Sequence, residues 1–190
     1  MRVQTISKFL VLFAVALGLS ALQPRVSLAA SASKLNAAAE ATLAGFYVET
    51  PSAKTYAEKA RGILVFPEIT KAGFVIGGSG GDGVLRVGGK PVAYYSTASA
   101  SVGLQVGYQE YATVMMFMTE EALTKFRNSS GWEVGVDAGV TVIDTGAAGS
   151  LSTEDVAKDP VVAFIFGEKG LMAGLSLEGA KISKLENMEP

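Results

Sequence analysis

The sequence predicts an α+β fold: an antiparallel-rich β-sheet or barrel with N-terminal helices and one short mid-chain helix. Two patterns carry that expectation. After residue 61, runs of alternating apolar and small or polar residues follow one another, separated by glycine turn signals. Before it, an alanine-rich stretch places Leu35, Leu43 and Phe46 near helical spacing.

Taken in order, Ser33 to Tyr47 is expected to be helical, and Pro51 breaks it. Ser52 to Ala60 then forms a second short helix, with Tyr56 and Ala60 on one face. Ile63 to Phe66 reads as a buried strand ended by Pro67. Phe74 to Ile76 and Val84 to Val87 read as strands joined by a glycine-rich hairpin loop, and Gly88-Gly89 as a further turn. Val92 to Thr97 follows. From Ser99 to Tyr108 a period of two sets Val102, Leu104, Val106 and Tyr108 against small or polar residues. Tyr111 to Met118 is another strand. Thr119 caps a helix whose first turn carries Glu120 and Glu121, with Leu123 and Phe126 as its apolar side. Trp132 to Ile143 alternates again, and Val161 to Phe166 is a strand. Gly167 to Gly170 reads as a turn, and Leu171 to Leu185 as a long last strand. Glycines inside strands weaken them, so their alternation implies that one sheet face admits another backbone or a helix at close range; barrel curvature alone is the simpler alternative.

The domain reading is a signal peptide over 1–30 and a single domain over 31–190, with a helical segment at 33–60 and a β-rich core at 61–187. Arg2 and Lys8 precede the apolar run Phe9 to Leu22, and small residues at Ser27-Leu28-Ala29 and Ala30-Ser31-Ala32 each suit a signal peptidase. An uncleaved anchor is the alternative. The chain is therefore expected to be exported, and periplasmic or peripherally membrane-associated. It has no cysteine, so core burial rather than disulfides must hold it together.

The chemistry is bounded by what is missing. There is no histidine and no cysteine, which removes the common zinc, copper and haem ligands and the thiol nucleophiles. Gly78-x-Gly80-x-x-Gly83 matches a dinucleotide fingerprint, but that motif needs a following helix and a strand is expected there. Gly77-x-Ser79-x-Gly81 matches a nucleophile elbow without a histidine base. Asp137, Asp144, Glu154, Asp155 and Asp159 lack calcium-loop spacing, and Asp82 in the glycine run is a weaker candidate. Asn128 heads a glycosylation triplet irrelevant to bacterial-type export. Trp132, Tyr94 and Tyr95 suit either a membrane interface or the core, with the core as the default. No enzyme activity, metal or cofactor is expected.

Charge is uneven. Residues 50–90 hold six basic and three acidic residues, whereas residues 91–190 hold six basic and thirteen acidic ones. The net charge of −2, more negative once the leader is removed, argues against nucleic-acid binding.

Ala60-Arg61-Gly62-Ile63 through Phe66-Pro67, then Lys71-Ala72-Gly73-Phe74, the glycine run Gly77 to Val84, and Ser101 to Gly107 resemble, in that order, the blocks of the SYLF domain family. The resemblance covers residues 38–187. It implies binding to membrane phospholipids, with phosphoinositides favoured in eukaryotic members and actin bound by some fungal ones. Tyr95-Ser96-Thr97-Ala98 stands where the family often has a Trp-Ser-x-Pro-like element, no SH3 segment follows, and the basic extension tied to actin binding is absent. The expected partner is thus an anionic phospholipid surface. Lys54, Lys59, Arg61 and Lys71 are the candidate lipid-binding residues, assisted by the apolar side of the 33–60 helical segment. The alternative is a structural or protein-interaction module of the periplasm without direct lipid binding.

Overall fold

The computed structural model describes residues 23–144, 159–170, 177 and 179–190. Residues 1–22 of the expected 1–30 signal peptide, the carboxylates Glu154 and Asp155, and the start of the expected last strand at 171–176 lie outside the described residues. The elements run α1 (Gln23–Glu49), α2 (Ala53–Lys59), β1 (Gly62–Val87), β2 (Lys90–Phe117), α3 (Glu120–Asn128), β3 (Trp132–Glu133), β4 (Val140–Asp144), β5 (Val161–Gly170) and β6 (Lys181–Lys184).

The organising feature is one very long hairpin. β1 and β2 pair antiparallel from Gly62↔Phe117 to Val87↔Lys90. Gly88 and Gly89 close it with φ values of 57° and 78°, the left-handed pair that a two-residue turn requires. The other edge of β2 pairs with β6 through Tyr95–Ala98 and with β5 through Gln109–Phe117. β4 joins β5 in parallel, and β3 joins β6. Six strands thus form one mostly antiparallel sheet.

The hairpin does not stay straight. At Phe74 to Ile76 the register slips, so that Val75 stands opposite three residues of β2. The first limb of β1 (62–73) then lies against its second limb (77–87). A Cβ on Gly73 would sit 2.6 Å from Gly77 Cα, and one on Gly83 would sit 2.8 Å from the Val65 carbonyl oxygen. A Cβ on Gly81 would collide with the carbonyl oxygen of Glu68. Main chain thus rests on main chain within a single strand, at glycines outside the alternating stretches Ser99 to Tyr108 and Trp132 to Ile143.

Each face of this curled sheet has its own core. The inner face gathers Leu64, Phe66, Leu85, Tyr95, Met115, Phe117 and Ile165, closed by α3 and Trp132. Phe126 of α3 stacks at 4.7 Å on both Tyr95 and Phe117, and meets Trp132 edge-on at 5.5 Å. The Thr119 hydroxyl accepts the Ala122 N–H at 3.1 Å, which starts that helix where the sequence places it. The outer face carries Val65, Val84, Val114 and Phe164 under α1 and α2. Phe46 packs on Phe164 and Phe166 at 5.1 and 4.9 Å, and Tyr56 on Phe164 at 6.1 Å. Trp132, Tyr94 and Tyr95 are core residues.

Several local expectations are corrected. Pro67 does not end the first strand. It sits at a register shift between Phe66 and Ile69, where a ladder N–H is not needed. The glycine run Gly77 to Gly83 is not a loop but strand, paired with Tyr95 to Ser101. Gly167 to Gly170 continues β5, with Gly167 at φ 66°. Trp132 to Ile143 is broken by a turn at 134–137, where the Val136 and Asp137 N–H groups bond to the Glu133 carbonyl. Among the described residues of the expected last strand, Lys181–Lys184 is strand, and the Ala180 N–H turns back to the Leu177 carbonyl.

The limb contact makes a paired test. Gly81→Ala is expected to cost about 1–3 kcal/mol, because its methyl meets fixed backbone. Gly80→Ala, whose nearest neighbour is the Thr97 carbonyl oxygen at 3.5 Å, should change stability by less than about 0.5 kcal/mol. Urea unfolding midpoints decide, and equal costs would contradict the packing.

Candidate functional site

The four basic residues chosen from the sequence do not form one patch. Lys54 and Lys59 are exposed on α2. Arg61 is exposed at the base of the hairpin, where its N–H donates to the Phe117 carbonyl at 2.8 Å. Lys71 lies ten residues further along β1, opposite Gln109. At about 3.3 Å per residue it stands roughly 30 Å from Arg61. Nor does the apolar side of the helical segment remain available. Ala39, Phe46, Ala53 and Tyr56 are buried against the sheet, with Leu35 and Leu43 packed beside them.

The two glycine motifs lack the geometry of the sites they mimic. Residues 77–83 are extended and paired, and they run straight on into the rest of β1 through Val87 rather than into a helix. Ser79 shares a 2.7 Å hydrogen bond with Ser99 across the ribbon and a second with the Tyr111 side chain.

What the sequence did not single out is the fold-back itself. Phe74 is 74% exposed, Ile76 70%, Tyr108 51% and Val75 46%. Isolated exposed apolar residues are ordinary on a protein surface, but a contiguous group is not. Val75 also holds φ at 69°, a left-handed conformation that costs a β-branched residue of order 1–3 kcal/mol. The period of two explains the common orientation. Ile69 belongs to the inner core, so Thr70, Ala72 and Phe74 alternate to the face that bears α1. Val84 belongs to the outer core, so Ile76, Gly80 and Asp82 share that same face. The corner is thus an apolar projection of the outer face. The pattern was present as Phe-Val-Ile between glycines, but three apolar residues in a strand are normally core.

The inner face also buries the polar side chains of Thr97, Gln109 and Thr113, and the Gln109 amide donates to Glu168 Oε2 at 3.2 Å. On the outer side the Tyr108 hydroxyl donates to Glu110, and that bond raises its pKa. Burial raises the pKa of Tyr111, offset in part by its bond to Ser79, and burial likewise raises Tyr47 and Tyr95.

Residues 98–189 match the profile of the family described as Ysc84, Las17-binding protein actin regulator. The chain is 31% identical over 135 residues to Protein YSC84 of Saccharomyces cerevisiae, covering 66% of this chain and 28% of that protein. It is 30% identical over 151 residues to Beta cell expansion factor A of Aeromonas veronii, covering 77% and 54%. LAS seventeen-binding protein 3 of Saccharomyces cerevisiae matches at 31% over 135 residues, 66% of this chain and 28% of its own length. The chain therefore spans between about a quarter and a half of these relatives.

The buried tyrosines set an alkaline limit. Unfolded tyrosines lose their protons near pH 10, while the folded ones hold them to higher pH. Their stabilisation is complete below about pH 10 and lost as pH rises beyond it. Tyr111→Phe should flatten the fall in urea midpoint above about pH 10 relative to wild type; parallel curves would contradict the burial assigned to Tyr111.

Proposed function

Since the chain belongs to the SYLF family, we propose that it is a non-enzymatic protein that binds the phospholipid membrane surface of a bacterial cell envelope after export. The supporting observation is the corner formed by Phe74, Val75 and Ile76 with Tyr108 beside it. An apolar group projecting from an end of the sheet enters the boundary between headgroups and acyl chains, where its burial removes about 1.5–3 kcal/mol per large side chain from exposure to water. The lack of histidine and cysteine supports the non-enzymatic reading. Of the four basic candidates, Lys71 lies nearest the corner and meets lipid phosphate. Lys54, Lys59 and Arg61 lie several Debye lengths from it and add little while the corner is inserted. A second reading, in which the corner docks a protein, draws on the relatives whose names record binding to LAS seventeen.

Co-sedimentation with phosphatidylglycerol–phosphatidylethanolamine vesicles tests the proposal. Phe74→Ser with Ile76→Ser is expected to lower partitioning by at least about tenfold. Lys54→Glu, Lys59→Glu and Arg61→Glu together should lower it by less than about threefold. No vesicle binding by the wild type would favour the protein-docking reading. Binding that survives the corner substitutions and fails on charge reversal would return the contact to the hairpin base.

A further inference from the structure

Between the first half of α1 and the seam where the two limbs of β1 meet runs a groove of about 490 Å³. That is the size of a small-ligand site. Its charged lining is Lys34 from the helix, Glu68 from the first limb and Asp82 from the second. Leu35 and Met188 supply apolar walls, and Thr70 a hydroxyl. The two carboxylates are neighbours because Gly81 lets the second limb rest on the Glu68 backbone. Among the described residues, none of the three charged groups forms an ion pair.

This combination selects its ligand by charge. One ammonium against two carboxylates repels a simple anion. Two carboxylates are too few for calcium, which takes six to eight oxygens, and no group of three metal-ligating side chains occurs among the described residues. A zwitterion satisfies all three, its ammonium on Glu68 and Asp82 and its anion on Lys34. Among the described residues no aromatic ring lines the groove to form the cage that favours a quaternary ammonium. A primary ammonium donating three hydrogen bonds fits the carboxylates better.

Position supports the same ligand. Thr70, Gly80 and Asp82 share the outer face with Phe74 and Ile76, four to six residues away, or roughly 13–20 Å. When the corner enters a membrane by about 5–10 Å, the groove stands at or just above the headgroups. We propose that the groove binds phosphoethanolamine-type zwitterions, a primary ammonium and a phosphate two carbons apart, borne by a lipid headgroup or by a free phosphorylated amine. Only the lipid source rests on the membrane reading.

The test titrates the full chain with sn-glycero-3-phosphoethanolamine, followed by amide NMR shifts. Saturable shifts centred on Lys34, Glu68 and Asp82 are expected. Glu68→Gln with Asp82→Asn should weaken binding by about tenfold or more, and Lys34→Gln by several-fold, with folding checked by thermal melts. The choline analogue should bind about tenfold more weakly, and the Phe74→Ser, Ile76→Ser variant should bind as wild type does. Absent saturation, or equal binding of the choline analogue, overturns the proposal even if vesicles still bind. Headgroup binding by a chain that ignores vesicles supports the groove and defeats the membrane reading. Loss of phosphatidylethanolamine-vesicle binding in the Glu68→Gln, Asp82→Asn variant identifies the lipid source; unchanged vesicle binding identifies the free amine.

Discussion

Backbone contact between the two limbs of β1 governs this structure. A hairpin of 26- and 28-residue strands is too long to lie flat over a core of this size, so it must fold over. Ordinary side chains would hold two stretches of sheet about 10 Å apart. Gly73, Gly81 and Gly83 remove that spacing and let main chain rest on main chain. The consequences propagate outward. The inner face closes around Phe117 and Trp132, the outer face offers a continuous bed for α1 and α2, and Val75 is forced to the fold-back in a conformation its side chain resists.

That economy decides where the hydrophobic residues go. The helical segment looks amphipathic enough to seek a membrane, yet Phe46 and Tyr56 are consumed by Phe164 and Phe166. Among the described residues the corner has no such partner, because α1 crosses the limbs around Glu68 and Gly81. Apolar area is thus left at one end of the sheet, beside a mixed-charge groove on the same face. The proposed membrane contact and the groove both lie on the outer face of the ribbon.

Much of the fold was legible, and the failures share a cause. The capping threonine at 119, the break at Pro51 and the Gly88-Gly89 turn are local signals, and local chemistry fixes them. Gly81 and Gly83, which make the close approach, belong to the run whose composition reads as a loop, since glycine propensity points to turns until tertiary packing overrides it. Pro67 was read as a stop for the same reason, though a bulge accommodates it. The site was less legible. Positive charge within one stretch of sequence suggested one patch, but Arg61 and Lys71 lie on a single extended strand, where proximity in sequence means separation in space.

The sequence contains no cysteine, so a single introduced one carries a unique nitroxide label. Power-saturation electron paramagnetic resonance with labels at position 75 and, separately, at position 59 measures which end of the ribbon meets lipid. With phosphatidylglycerol–phosphatidylethanolamine vesicles, the label at 75 should become oxygen-accessible and shielded from water-soluble nickel, while the label at 59 stays aqueous. The reverse pattern, or two aqueous labels on a vesicle-bound protein, would contradict the account.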